Sequence, residues 1–332
     1  MKNIDLNKIY KVLDNFKNHR ILVFGDLMID EFIFSDVKRI SPEAPVPIAE
    51  VKEKSYRLGG ASNVAANIKS LDGEVMLSGV VGDDGFGRLF KQTALDMGID
   101  VSCITEDNTR PTTVKTRIIA HNQQIARIDS EKKHIISNSL SEIIFDSIKN
   151  KCEKFDAVIV SDYAKGALNN ELIKKITDFF RKNGKISAID PKVRNIELLR
   201  GFDYIKPNVK EAEILSEMEI FDEKTLFEAG QKMFETLKPE AFILTRGPEG
   251  ITAFDRAGHF TVPTVAKKVY DVTGAGDTTI AVFTMALCSG ATLREAVIIA
   301  NVAAGIVVGE VGTATVKVED IKNHIGELIN EQ

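Results

Sequence analysis

"VYDVTGAGDTTIAVF", residues 269–283, joins a polar, glycine-rich front to an apolar back. Gly274 and Gly276 permit backbone angles closed to other residues, and the run from Ala275 onward reads as a helix. A helix that begins here turns several free backbone N–H groups outward, which makes a ready anion site. Asp277 falls in that first turn, where a carboxylate is electrostatically favoured. Two readings follow. Asp277 is a cap-region carboxylate, or it is a base that takes a proton from a hydroxyl while Gly274, Ala275 and Gly276 cradle a phosphoryl group. Phosphoryl transfer needs alignment and neutralised charge more than covalent chemistry. A carboxylate then orients the hydroxyl and accepts its proton late. No lysine follows these glycines and the P-loop pattern is absent.

Upstream, short Val- and Ile-rich runs alternate with helical patterns. "RILVFGDLMID", "EVMLSGVVG", "FDAVIVSDYAKG", "GKISAIDPK", "FDYIKPN" and "EAFILTRG" are examples of the first kind, and "NNELIKKITDFFRKNG" of the second. Strands buried on both faces and separated by helices predict an α/β sheet covered by helices. Two regions break the rhythm. Residues 31–58 form an extended pattern divided by Pro42, Pro45 and Pro47, and residues 112–129 alternate as two strands around "HNQQ". They predict a small accessory sheet inserted as a lid into a single domain, or else edge strands of the main sheet. After residue 273 the chain is mainly helical and rich in Ala and Val, as buried helices are.

The 332 residues carry 44% apolar and 27% charged side chains, the balance of a soluble globular enzyme rather than a disordered chain. A net charge of −5 without a dense basic stripe gives no nucleic-acid footprint. Cys103, Cys152 and Cys288 have no metal-ligand spacing and read as core thiols in a reducing compartment. The start has Ile4, Ile9, Leu13 and Phe16 at helical spacing with charges between, unlike a secretory signal, and no run is long enough to span a membrane. A cytoplasmic protein is expected. "HExxH", "GxSxG" and a post-strand "GxGxxG" are missing, which disfavours metalloprotease, serine-hydrolase and nicotinamide chemistry.

Three other stretches hold candidate contacts. "RLGGASNVAANIKSLDG" places Gly59 and Gly60 before a helix that carries Asn63 in its first turn, suited to close ligand approach or to an ordinary turn. Asp26 and Asp30 follow the first strand, where open α/β sheets bind ligands and where carboxylates suit sugar hydroxyls. In "KPNVKEAE", Asn208 and Glu211 share one helical face. That spacing fits a hydrated Mg2+ or a helix cap, and the two are compatible.

Together these motifs resemble the ribokinase-like, or PfkB, family of sugar kinases. "DVTGAGD" is similar to its C-terminal signature, "GGASNVAANIKSLDGEVMLSGVVGDDGFG" to its N-terminal one, and "KPNVKEAE" and "TRGPEG" to motifs in between. The resemblance implies a three-layer α/β/α core with a mostly parallel central sheet and a small β lid. It implies Asp277 as catalytic base, with Gly274, Ala275 and Gly276 as the anion cradle. Asn208 and Glu211 fall at its Mg2+ positions, and Asn208, Thr245, Gly247, Gly250 and Asn301 on the ATP side. Asp30, Gly59, Gly60 and Asn63 fall on the sugar side. "RISPEAPVPIAEV", "HNQQIARID", "SDYAKGAL" and "IDPK" resemble the branch that phosphorylates C1 of D-glycero-β-D-manno-heptose 7-phosphate, for ADP-heptose and the lipopolysaccharide core. Ser62 stands where that branch often carries alanine.

The resemblance further implies a homodimer in which the lid takes part, and it leaves room for a monovalent cation such as K+. No "HxGH" nucleotidyl motif is present, so a stand-alone kinase with a separate adenylyltransferase partner is expected. The substrate's own phosphate needs positive charge. Arg39, Lys115, Arg117, Arg127, Lys165 and Lys192 are candidates, Arg117 and Arg127 foremost because guanidinium groups pair with phosphate in a bidentate way. A kinase of the same family for fructose, ribose, a nucleoside or another sugar phosphate shares the base and cradle. A sugar-binding regulator has no need of a base.

Overall fold

The computed structural model describes residues 5–121, 123–192, 196–266, 268–310 and 314–330. Ile4, Asn122 of the predicted turn and the Cys152 side chain lie outside the described set. The strands are β1 (Arg20–Gly25), β2 (Leu27–Ile40), β3 (Pro47–Gly60), β4 (Glu74–Val81), β5 (Asp100–Glu106), β6 (Thr113–Ala120) and β7 (Gln123–Ser130). They continue as β8 (Ala157–Ser161), β9 (Ile186–Asp190), β10 (Tyr204–Ile205), β11 (Ala241–Thr245), β12 (Ile251–Asp255) and β13 (Gly258–Val262). The helices are α1 (Leu6–Asp14), α2 (Ala61–Ser70), α3 (Gly85–Asp96), α4 (Asn138–Lys149) and α5 (Asn170–Lys182). After them come α6 (Val209–Ser216), α7 (Glu223–Leu237), α8 (Ala275–Cys288), α9 (Leu293–Val307) and α10 (Val318–Asn330).

The main sheet runs β13-β12-β11-β10-β9-β8-β1-β4-β5, parallel from β5 to β11 and closed by the antiparallel pairs β11–β12 and β12–β13. Alternation along its central strands splits the core in two. Ile21, Val23, Leu77 and Ile159 point to the side covered by α1, α2, α8, α9 and α10. Leu22, Phe24, Met76, Val158 and Val160 point to the side covered by α4, α5, α6 and α7. Each such side chain, fully withdrawn from water, contributes about 1.5–3 kcal/mol. Cys103 is buried and Cys288 partly so, and both thiols are free.

From β1 the chain first adds strands on one side, β4 and then β5, and later on the other, from β8 onward. The reversal places a crevice at the carboxyl ends of β1 and β8, the usual ligand position in such sheets. The irregular segments do not join this sheet. Residues 27–60 and 113–130 form a separate sheet, β3-β2-β6-β7, with Pro42 and Pro45 in the connection between β2 and β3. Only Asp26 separates β1 from β2, so the lid grows directly out of the crevice.

Candidate active site

Side-chain caps show where the fold reserves a helix end. Helices α1, α3, α4, α5, α6, α7 and α9 each start on an Asp, Ser, Asn or Thr whose side chain accepts from the first turn. By contrast, α2 and α8 start on Gly60 and Gly274, both at positive φ, with no side-chain cap. At α8, Ala275 N–H turns back to the Val272 carbonyl and Thr278 N–H closes the first bond to Gly274. Among the described residues no partner meets the N–H groups of Gly276 and Asp277, which are left for a ligand.

Asp277 is 4% exposed. Its Oδ2 accepts from Asn63 Nδ2 at 2.7 Å and its Oδ1 from the Tyr163 hydroxyl at 2.7 Å. Burial pushes the Asp277 carboxyl up, the nearby Asp190 adds to this, and Asn63, Tyr163 and Lys206 pull back, leaving it at about 6. A carboxyl poised there is ionised at neutral pH yet basic enough to take a proton. The α2–α8 contact continues with Thr278 Oγ1 donating to Asn67 Oδ1 at 2.9 Å and Asn67 Nδ2 donating to the Asn63 carbonyl at 2.9 Å.

Beside the cradle sits a buried ion pair, Lys206 Nζ to Asp190 Oδ1 at 3.0 Å. A Cβ on Gly276 would lie 3.3 Å from Lys206 Nζ, so the ammonium adjoins the Gly274–Gly276 backbone and supplies fixed positive charge to it. Sequence reasoning missed Lys206, Asp190 and Tyr163, although they lie inside the quoted stretches "KPN", "IDPK" and "SDYAKG".

On the lid side the double glycine has a local cause. A Cβ on Gly59 would stand 2.2 Å from Asp30 Oδ2, and one on Gly60 2.5 Å from the Asp26 carbonyl. Gly59 makes room for the Asp30 carboxylate, which pairs with Arg117. The Asp26 carboxylate, in turn, accepts from the N–H groups of Tyr163, Lys165 and Ala167 at 2.8, 3.0 and 3.0 Å, and so holds the loop after β8. Strand register puts Arg57 opposite Asp30 and Arg117 opposite Phe32. Both guanidinium groups lie 5.3 Å from the Phe32 ring centre. Lys115 stands over the Tyr163 ring, where burial lowers its ammonium. Arg57 was missed because its neighbours in sequence suggest only a solvated strand.

Other candidates sit further out. Arg127 is half exposed and bonds Asp129 at 2.9 and 3.1 Å. Lys165 pairs with Glu131, and Arg39 is exposed. Lys192 is exposed and faces Glu211 at 3.3 Å. Asn208 and Glu211 form a capping box for α6, Asn208 Oδ1 accepting from Glu211 N–H at 3.0 Å and Glu211 Oε2 from Asn208 N–H at 2.9 Å. That leaves Glu211 Oε1, which faces the Lys192 ammonium at 3.3 Å. Among the described residues no three His, Cys, Asp or Glu side chains converge. The donor set therefore fits a hydrated divalent ion held through its waters, not an all-protein cage. Asn208 bridges to Thr245, the Gly250 turn abuts Val262 and Pro263, and Asn301 Nδ2 donates to the Pro263 carbonyl at 2.8 Å. Gly247 lies in the same turn as Gly250.

A buried carboxylate at an uncapped helix start, beside a crevice from which a lid sheet grows, is an arrangement suited to phosphoryl transfer. Residues 18–320 match the pfkB family carbohydrate kinase pattern. The chain belongs to the pfkB family of carbohydrate kinases. Solved sugar-kinase structures agree with it in architecture. Phosphofructokinase-2 from Escherichia coli in complex with potassium superposes with a TM-score of 0.79 at 18% identity, over 94% of this chain and 99% of that one. The Arabidopsis thaliana ribokinase complexed with ribose and ATP superposes with a TM-score of 0.73 at 20% identity, over 92% and 98%. Closer in sequence are bifunctional HldE proteins. That of Helicobacter hepaticus is 40% identical over 93% of this chain and 64% of its own length. That of Geobacter sulfurreducens is 42% identical over 92% and 62%. The chain thus spans less than two thirds of these relatives. The ribokinase-like three-layer fold and its β lid, expected from the sequence, are borne out by both architecture and superposition.

Proposed function

We propose that this kinase phosphorylates the C1 hydroxyl of D-glycero-β-D-manno-heptose 7-phosphate with ATP, giving the 1,7-bisphosphate and ADP. The observation that carries it is Asp277, buried at the uncapped start of α8 with both carboxylate oxygens held. In this reading Asp277 orients the acceptor hydroxyl and takes its proton. The free N–H groups of Gly276 and Asp277, with Lys206, stabilise the charge on the transferred phosphoryl group, whereas the Ala275 N–H expected in the cradle is turned back to Val272. Asp30 and Asn63 contact the sugar, within the space that Gly59 and Gly60 open. Asn208, Thr245, Gly247, Gly250 and Asn301 line the ATP side, where Glu211 would hold a hydrated Mg2+. The metal, when bound, neutralises phosphate charge. K+ is a further candidate ion.

The whole chain would act as one kinase domain whose lid excludes water. No helix among the described residues is long and apolar enough to cross a membrane; a cytoplasmic location is part of this proposal. Exposed Phe34, Ile40, Val51, Ile125 and Ile128 on the lid strands support a homodimer joined there, and a single-chain sedimentation mass would remove it. The product would pass to a separate adenylyltransferase.

The substrate phosphate meets Arg117 and Arg57 on the lid. Arg117→Ala should raise KM for the phosphorylated sugar about tenfold or more and leave KM for ATP within about twofold, whereas Arg127→Ala should do little. Equal effects on both substrates would move Arg117 away from the sugar phosphate. The direct test is ADP release with ATP and Mg2+ over the heptose 7-phosphate, fructose 6-phosphate, fructose, ribose and adenosine. Preference for another sugar keeps the mechanism and changes the substrate. No turnover with any of them favours a regulator.

A further inference from the structure

Of the groups around Asp277, one belongs to no assigned role. Tyr163 follows β8 and is partly buried, its hydroxyl set against Asp277 with Asp30 and Asp190 close by. Its backbone is nailed down by the Asp26 carboxylate at 2.8 Å, and the next residue, Ala164, holds φ at 59°. The hydroxyl therefore reaches Asp277 from a rigid support.

We propose that Tyr163 is a positioning residue for the transfer step. Its hydroxyl and the Asn63 amide pin opposite oxygens of the Asp277 carboxylate, which fixes the plane in which the base meets an acceptor hydroxyl. This rests on the reading of Asp277 as base. A carboxylate can rotate about Cβ–Cγ, and with only Asn63 on Oδ2 that rotation is released. With both bonds made, at 2.7 Å each, rotation breaks two charge-assisted hydrogen bonds together. Lys115 from β6 stands 5.7 Å from the Tyr163 ring centre, so the lid touches the same device. Other elements bring Asp190 from β9 and Lys206 from the end of β10 toward Asp277, but they act on it without a hydrogen bond.

Tyr163→Phe removes one oxygen atom and keeps the ring. It should lower kcat about tenfold or more while KM for ATP stays within about twofold. It should also raise the acid limb of kcat/KM by about one pH unit, because a donor that favours the ionised base is lost. Trifluorotyrosine at position 163, a stronger donor, should move that limb down, and this reading survives even if Tyr163→Phe folds poorly. An unmoved acid limb in both variants would overturn the proposal, as would a loss of thermal stability without one of kcat. Asp277→Asn serves as the reference. If it keeps normal turnover, the base assignment fails; if it is inactive while Tyr163→Phe matches wild type, only the role of Tyr163 fails.

Discussion

Asp277→Asn should lower kcat by at least about 100-fold, the share of a general base, with nucleotide affinity nearly unchanged. The cradle is backbone and survives the substitution. The asparagine can accept from Asn63 through its oxygen and donate to the Tyr163 hydroxyl through its nitrogen, so the contacts are conserved. Stability should move the other way. The folded carboxyl is raised from 3.8 to about 6, so the folded state holds that proton more tightly than the unfolded one. Ionising Asp277 then costs stability as pH rises from about 4 through 6, and nothing below that window. The variant should gain up to about 3 kcal/mol over wild type at pH 7.5 and lose the gain at pH 4. Urea midpoints at the two pH values read this directly. Normal turnover, or a variant less stable at pH 7.5, would make Asp277 a structural cap.

Lys206→Met should have the largest structural effect. The ammonium is 5% exposed and is 3.0 Å from Asp190, so its removal strands a carboxylate in the core beside Asp277. Breaking a buried pair in this way costs about 3–5 kcal/mol. Burial already raises Asp190 with Lys206 pulling it down, and without that cation the carboxyl takes up a proton more readily. Adding Asp190→Asn should recover much of the stability, since no uncompensated charge then remains. Turnover should not recover with it. The fixed positive charge beside Gly276 is still missing, and kcat in the double variant should stay about 100-fold down. A double variant that is stable and fully active would confine Lys206 to a structural role.

Much of this was legible from local pattern. Apolar runs alternating with helical ones specify a parallel sheet with covering helices, because strands buried on both faces have no polar side to show. Gly274 ahead of Asp277 marks an uncapped helix start, since its φ of 86° is one that glycine takes freely, while the helical Gly276 leaves room beside Lys206. The extended segments with Pro42 and Pro45 mark a second sheet, although its strands run further into the crevice than the prolines suggest. For Asn208 and Glu211 the pattern left a cap and a metal site open, and the structure displays the cap.

Asn63 lies 214 residues from Asp277 and Tyr163 lies 114 from it, and only strand order brings them together. Local pattern tells which face of its own element a residue occupies. It does not tell which other element that face will meet. That is decided where β8 pairs with β1 and the start of α2 bonds the Asp26 carbonyl that follows β1, so that Asn63, the loop after β8 and the start of α8 share one crevice. The sequence by itself determined the fold class and marked Gly274, Gly276 and Asp277 as the candidate cradle and base. The tertiary structure decided that Tyr163, Asp190 and Lys206 surround that base, because burial and proximity to one another belong to the packed chain and set both its pinning and its proton affinity.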